Sequence, residues 1–174
     1  MKKTFLAMMM AGTALVGMNN MAQAADGTVH FTGTITADAC TINGGTTGPL
    51  EVALGTVASS AMAGVGTKST PTKFTIALTE CDASLTSAAV KFDGTADATD
   101  ATLLKLDSDS TATGVGIEIG EADGTPLGLF TASKSVAIAS GAASLDFVGR
   151  YKSTAAAPVA GAANGTSQFT INYN

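Results

Sequence analysis

The sequence predicts an all-β sandwich, and two observations carry that prediction. Short segments in which apolar and polar residues alternate recur along the chain, and turn signals such as Asp93-Gly94 and Asp123-Gly124 lie between them. After residue 24, no window shows a sustained apolar period of 3.6 residues. Period-two alternation is typical of strands with one buried face, whereas amphipathic helices need the longer period. We therefore expect two packed sheets and few, short helices.

The alternation predicts strands at nine places between residues 50 and 173. They are residues 50–57, 74–81, 88–92, 103–106, 115–119, 127–130, 136–139, 145–151 and 168–173. Residues 154–166 are poor in bulky side chains, and we expect them to form the loop that leads into the last strand. Only eight residues follow that loop, so no second domain is predicted.

The first 24 residues have the layout of an export signal. Lys2 and Lys3 give a positive start, residues 5–16 are apolar, and Ala22-Gln23-Ala24 has the small-x-small pattern that signal peptidase cleaves. Cleavage is predicted between Ala24 and Ala25. The apolar run is shorter than the roughly 20 residues of a membrane-spanning helix. The 150 residues that remain suit a single domain.

The charge of the mature chain argues against two classes of partner. After the signal, 7 basic residues face 14 acidic ones, a net charge of −7. Phosphate binding needs clustered Lys and Arg, so no nucleic-acid partner is expected. There is also no polybasic or amphipathic stretch that would bind a membrane surface.

The two cysteines, Cys40 and Cys81, predict one disulfide because the chain is exported. The alternative is a catalytic or metal-binding thiol. That alternative lacks partners, since the sequence has no Cys-x-x-Cys and His30 is its only histidine.

The search for catalytic or metal-binding residues predicts no enzyme, no cofactor and no metal. His30 lies on the polar face of an N-terminal segment, and no Gly-x-Ser-x-Gly elbow is present. The aspartates between residues 93 and 109 lack the spacing of a calcium loop, so they predict a solvated acidic face. Glu118 and Glu121 are predicted to be exposed, which weakens the case for a pair of hydrolytic carboxylates.

Both ends of the mature chain alternate. In residues 27–35, Val29, Phe31 and Ile35 share one face, with Gly27 and Gly33 in the same register. This segment is predicted to be a strand with one buried face. At the other end, residues 168–173 are predicted to turn three apolar side chains toward a core, and Gly161 shares their parity: Phe169, Ile171 and Tyr173.

Taken together, these features resemble the pilin subunits of chaperone-usher fimbriae, in particular the type 1 fimbrial major-subunit group. The resemblance covers the whole mature chain. Its marks are the N-terminal extension, Cys40 with Cys81, the segment Leu54-Gly55-Thr56-Val57, Gly161 fourteenth from the end, and the penultimate Tyr173.

The resemblance implies an incomplete immunoglobulin-like sandwich that lacks its seventh strand. Residues 25–35 would be a donor-strand extension and residues 36–174 the pilin domain. A groove between the first and sixth strands would be lined from the C-terminal strand by Gly161, Phe169, Ile171 and Tyr173. The extension would contact the neighbouring subunit through Gly27, Val29, Phe31 and Gly33.

By the same resemblance, the chain is expected to be a structural subunit that polymerises by donor-strand exchange into an adhesive surface fibre. The expected partners are identical or related fimbrial subunits, a periplasmic pilus chaperone and an outer-membrane usher. The expected route leads through the periplasm to a cell-surface fimbrium. Three alternatives stay open: a minor or adaptor fimbrial subunit, a self-contained secreted immunoglobulin-like binding domain that keeps residues 27–35 in its own sheet, and a small secreted hydrolase.

Overall fold

The computed structural model describes residues 29–32, 39–45 and 48–174. The chain divides into two units, Met1–Ile35 and Thr36–Asn174. The predicted signal, its cleavage between Ala24 and Ala25, and the positions of Gly27 and Gly33 lie outside the described residues. Residues 29–32 have no regular secondary structure. A strand requires a neighbouring backbone with which to pair, so the predicted strand at residues 27–35 stays a prediction.

The second unit contains seven described strands in two antiparallel sheets, which confirms the all-β prediction. Sheet I has the order β1-β2-β6-β4, and sheet II has the order β5-β3-β7. The strands are β1 (Thr41–Ile42), β2 (Thr72–Thr79), β3 (Ser87–Asp93), β4 (Val115–Glu121), β5 (Val136–Ala137), β6 (Ala143–Ser153) and β7 (Gln168–Tyr173).

Strand β6 is the longest and joins sheet I together. It pairs with β2 along one edge and with β4 along the other. Its residues alternate as the sequence predicts, because Leu145 and Phe147 are buried whereas Ser144 and Asp146 are exposed. The inward residues of β6 therefore form the floor of the core between the two sheets.

Aromatic rings from both sheets meet at the centre of the core. The rings of Phe92 on β3 and Phe147 on β6 lie 5.0 Å apart, edge to face. Phe74 on β2 lies 5.7 Å from Phe147, and Phe169 on β7 lies 6.4 Å from Phe92. Rings at these separations add to the stabilisation from buried area, so this cluster ties four strands to one another.

Three predicted strands are wrong. Residues 50–57 form no ladder, residues 103–106 contribute only isolated bridges from Leu104 to Ala96 and to Ile117, and residues 127–130 lie beyond the bridge between Gly120 and Pro126. In residues 127–130 the alternation reflects a buried side, since Leu127 and Leu129 are buried, whereas the consecutive Leu103 and Leu104 are both buried. One-sided burial does not require a partner strand, and that is why the pattern misled.

The predicted disulfide is confirmed, because Cys40 bonds to Cys81. It fixes the residue before β1 to a residue two positions beyond β2. Helix is limited, in the described part of the chain, to two short 3₁₀ turns at Asn43–Gly45 and Ser59–Met62. No described helix has the length and apolar character needed to cross a membrane.

We expect Phe147→Ala to lower the free energy of unfolding by about 3–5 kcal/mol, because the ring is 2% exposed and its removal leaves a cavity. Denaturant unfolding of the mature chain measures this change. The matched control is Phe130→Ala, since Phe130 is 59% exposed and should change stability by less than about 1 kcal/mol. Equal losses in the two variants would contradict the aromatic core.

Candidate functional site

The C-terminal strand β7 has a partner on one edge only. It pairs antiparallel with β3, from Ala88 opposite Tyr173 to Asp93 opposite Gln168. Among the strands of the described residues, no other pairs with β7. Strand β7 is thus an edge strand whose second row of backbone groups faces away from β3.

The side chains of β7 reflect this unequal pairing. Phe169 and Ile171 are only half-buried, although both pack against the core as the alternation predicts. Their cross-strand neighbours on β3, Phe92 and Val90, are 5% and 0% exposed. Both pairs lie on the same face of one sheet, so the difference arises because β3 is flanked on both sides and β7 on one.

Tyr173 connects the end of β7 to the disulfide. Burial of its phenol raises the pKa of Tyr173, and a hydrogen bond with the Cys40 backbone offsets part of that rise. The ring is half-buried and packs against the core. The penultimate tyrosine therefore holds the end of the chain beside the start of β1.

Residues 161–167 carry the chain toward β7 and are anchored along their length. The hydroxyl of Tyr151 donates to the carbonyl of Ala163 at 2.8 Å. The Thr166 hydroxyl donates to Asp107 at 2.8 Å, and the amide of Thr111 donates to Ala162 at 3.0 Å. These bonds fix the segment that precedes β7 even though it belongs to no sheet.

Gly161 lies seven residues before β7 begins, at a point of close backbone approach. A Cβ built on Gly161 would lie 2.5 Å from the amide nitrogen of Ala112 and would also strike Thr111. Contacts this short require the backbone to shift. A glycine is therefore needed here for packing.

A second extended segment, residues 50–57, also lacks a ladder partner. Val52, Leu54 and Val57 are half-buried, whereas the residues between them are exposed. Leu54 packs against the core and would lie 3.3 Å from a Cβ built on Gly149. This segment contains the Leu54-Gly55-Thr56-Val57 motif, so that motif also lies on backbone that forms no ladder.

In the first unit, the two apolar residues of the described stretch face solvent. Val29 is 75% exposed and Phe31 is 89% exposed. They are separated by one residue, so in an extended strand both side chains would lie on the same face. The structure thus places an apolar pair in solvent.

Glu118 was predicted to be exposed, and that prediction is wrong. Its side chain is 4% exposed on the outer face of sheet I. Arg150 Nε donates to Glu118 at 2.7 Å, and Lys68 Nζ donates at 3.0 Å. The two cations come from different parts of the chain, which is why no local signal reveals the cluster. These contacts give Glu118 a structural role, because a buried carboxylate needs such partners.

Two other acidic residues, Asp97 and Asp100, lie in the loop that follows β3. Asp97 accepts from the amide of Thr99 at 2.8 Å, as in an Asx turn. A hydrogen bond from Lys152 lowers the pKa of Asp100 to about 2. In the described residues, no three of the His, Cys, Asp and Glu side chains are grouped so that they could hold a metal ion.

Comparison with known proteins gives a consistent result. The sequence profile described as "Fimbrial protein" matches residues 29–174. A type-1 fimbrial protein subunit of Serratia marcescens is 38% identical, and the match covers 99% of each chain. The crystal structure of an antigen and type I fimbria protein from Burkholderia pseudomallei is 34% identical, with a TM-score of 0.61, and the match covers 84% of this chain and 97% of that one.

A structural match at lower identity supports the fold alone. The P pilus rod subunit PapA is 19% identical with a TM-score of 0.64, and the match covers 79% of this chain and all of that one. The overall fold of this chain is therefore shared with a solved pilus rod subunit.

We expect Gly161→Ala to destabilise the mature chain by about 1–3 kcal/mol, since the added methyl group must displace the backbone at Ala112. Urea unfolding measures the change. Gly48→Ala is the matched control, because a Cβ built on Gly48 meets nothing within 4 Å. If the two substitutions cost the same, the close approach at Gly161 has no energetic weight.

Proposed function

Because the chain belongs to the fimbrial protein family, we propose that it polymerises by donor-strand exchange. The chain is a structural pilus subunit. In the proposed joint, residues 25–35 of one copy enter a groove of the next copy that runs along the segment from Gly161 to Tyr173. The incoming strand pairs with the free edge of β7 and completes the sandwich, a form of strand addition.

The half-burial of Phe169 and Ile171, on a strand with one free edge, is the observation that carries this proposal. Their neighbours on β3 are fully buried. A strand added beside β7 would cover these side chains and would also satisfy the backbone groups on that edge. A single added strand would therefore cover the side chains and pair the backbone groups of β7.

The exposed pair on the extension has the complementary chemistry. Val29 and Phe31 would bury their side chains in the groove of the neighbour, and this burial would contribute about 3–6 kcal/mol. Gly27 and Gly33 share their register and would lie on the same face, where small residues permit close approach. The main-chain hydrogen bonds of the added strand would add to this.

The same groove has a consequence before assembly. An unfilled groove exposes apolar side chains and an unpaired strand edge, and this is an aggregation hazard. We propose that a periplasmic chaperone covers it by lending a strand, and that an outer-membrane usher then exchanges that strand for residues 25–35 of the next subunit. This route leads through the periplasm to the cell surface, where the fibre takes part in adhesion.

The proposal is tested with a mature chain truncated to begin at Gly33 and a peptide spanning residues 25–36. The peptide should raise the melting temperature of the truncated chain strongly and should elute with it as a one-to-one complex. A truncated domain that is already stable and ignores the peptide would show that no groove exists. A truncated chain that unfolds and is not rescued by the peptide would instead favour the self-contained binding domain, which keeps residues 27–35 in its own sheet.

We expect Phe31→Asp to block incorporation into fibres while leaving chaperone binding intact, because the chaperone supplies its own strand. Thr32→Asp is the matched control, since Thr32 lies on the opposite face of the extension and should assemble normally. Fibre yield and co-purification with the chaperone are the two measurements. If Thr32→Asp blocks assembly equally, burial of the face that carries Phe31 does not drive assembly.

Tyr173→Ala should impair both events, because Tyr173 belongs to the groove that either strand must enter. The same two measurements apply. Normal chaperone binding by this variant would show that Tyr173 does not line the groove.

A further inference from the structure

We propose that an uncharged cap, formed by residues 63–66 and 155–160, is the surface on which the body of the donating subunit rests. This inference builds on the proposed donor-strand joint and adds a second contact to it. The occupant is a second copy of this chain, held there by its own N-terminal extension.

The cap differs in chemistry from the rest of the molecule. It presents Val65 and Val159, which are 71% and 58% exposed, together with exposed alanines. No charged residue occurs between Glu51 and Lys68, and none follows Lys152. An exposed apolar surface without charge, on a chain with twice as many acidic as basic residues after the signal, indicates a contact surface.

The cap is held in place by backbone hydrogen bonds. Gly64 donates to Ala156 at 2.9 Å, and Gly66 donates to Ser153 at 2.8 Å. Both glycines have positive φ, +94° and +85°, and they flank Val65 in a tight turn. Val159 is bonded in both directions to Thr113, at 3.0 and 3.3 Å. The two valines are therefore displayed on fixed backbone.

The direction of the added strand brings the donor's body to this cap. Every ladder among the described strands is antiparallel, and an added strand that follows the rule runs opposite to β7. Its last residues then lie beside the beginning of the C-terminal segment, at Gly161. The extension of residues 25–35 spans about 36 Å and the segment 161–173 about 43 Å, so the two lengths match well enough for the extension to reach the cap.

The tether between extension and body is short. From Ile35 to Cys40, where the body's disulfide begins, the chain can span at most about 17 Å. A domain of the size of Thr36–Asn174 has a radius of gyration of about 14 Å. The body of the donor must therefore lie against the end of the acceptor at which its extension leaves the groove, and that end carries Val159.

The two contact regions lie at opposite ends of each copy. Gly66 of the cap is bonded to Ser153, beyond the start of β2, whereas Cys81 follows the end of β2. Because Cys81 holds Cys40, the first described residues of the domain lie at one end of β2 and the cap lies beyond the other end. The contact is thus head-to-tail, which generates an open fibre.

The test uses fibres assembled from the full mature chain carrying Val65→Asp together with Val159→Asp. The measured quantity is the rate at which subunits dissociate from fibres at a fixed guanidinium concentration. We expect the double variant to dissociate about tenfold faster than the wild type, since changes at an interface act mainly on the dissociation rate. The 25–36 peptide has no body, so its dissociation from the variant should be unchanged.

Phe130→Asp is the matched control, because Phe130 is an exposed apolar residue outside the cap. It should leave fibre dissociation unchanged. Unaltered dissociation of the double variant, or equal acceleration in the Phe130 variant, would overturn the proposal. So would faster loss of the peptide, since the cap variant would then damage the groove itself. If the variant fibres stay intact and lose only their side-by-side association, the cap forms contacts between fibres, and the proposal is overturned.

Failure of the wild type to bind the peptide would instead refute the donor-strand joint.

Discussion

The pairing of β7 along one edge alone is the constraint on which the rest of the structure depends. A strand carries donors and acceptors on both edges, and β3 satisfies only one edge of β7. The side chains of β7 are incompletely covered as well, since Phe169 and Ile171 are half-buried beside fully buried neighbours on β3. Both deficits lie on one strand. A single added strand removes both, which links the chemistry of assembly directly to the fold.

The core around that edge is held by contacts that do not involve an added strand. Phe92 and Phe147 pack across the two sheets, and the disulfide fixes the start of β1 to the end of β2. Tyr173 reaches the Cys40 backbone, so the far end of β7 is anchored as well. The domain can therefore keep its shape while one strip of it stays open. That combination is what strand exchange requires, because a groove must be formed before a strand can enter it.

Alternation in the sequence predicted which side chains of β6 and β7 face the core. Residues 168–173 form the predicted strand because Phe169, Ile171 and Tyr173 have a core to pack against. Residues 50–57 alternate equally well yet form no ladder, since alternation specifies a face and carries no information about a hydrogen-bonding partner. The cluster around Glu118 was missed for a related reason. Its cations, Lys68 and Arg150, are brought together only by the sheet and the loop above it.

The direction of the strands determines how the unpaired edge of β7 in one copy would be joined to the next copy. The disulfide holds Cys40 beside Cys81 at the end of β2, while the cap lies beyond the start of β2. In the proposed joint, a donor placed at that cap would leave its own groove to a third subunit. The contact is therefore heterologous and does not close into a pair. An apolar surface such as Val65 with Val159 would be a hazard on a free monomer. In the proposed fibre, where each copy is covered by the next, the same surface would help to keep the joints closed.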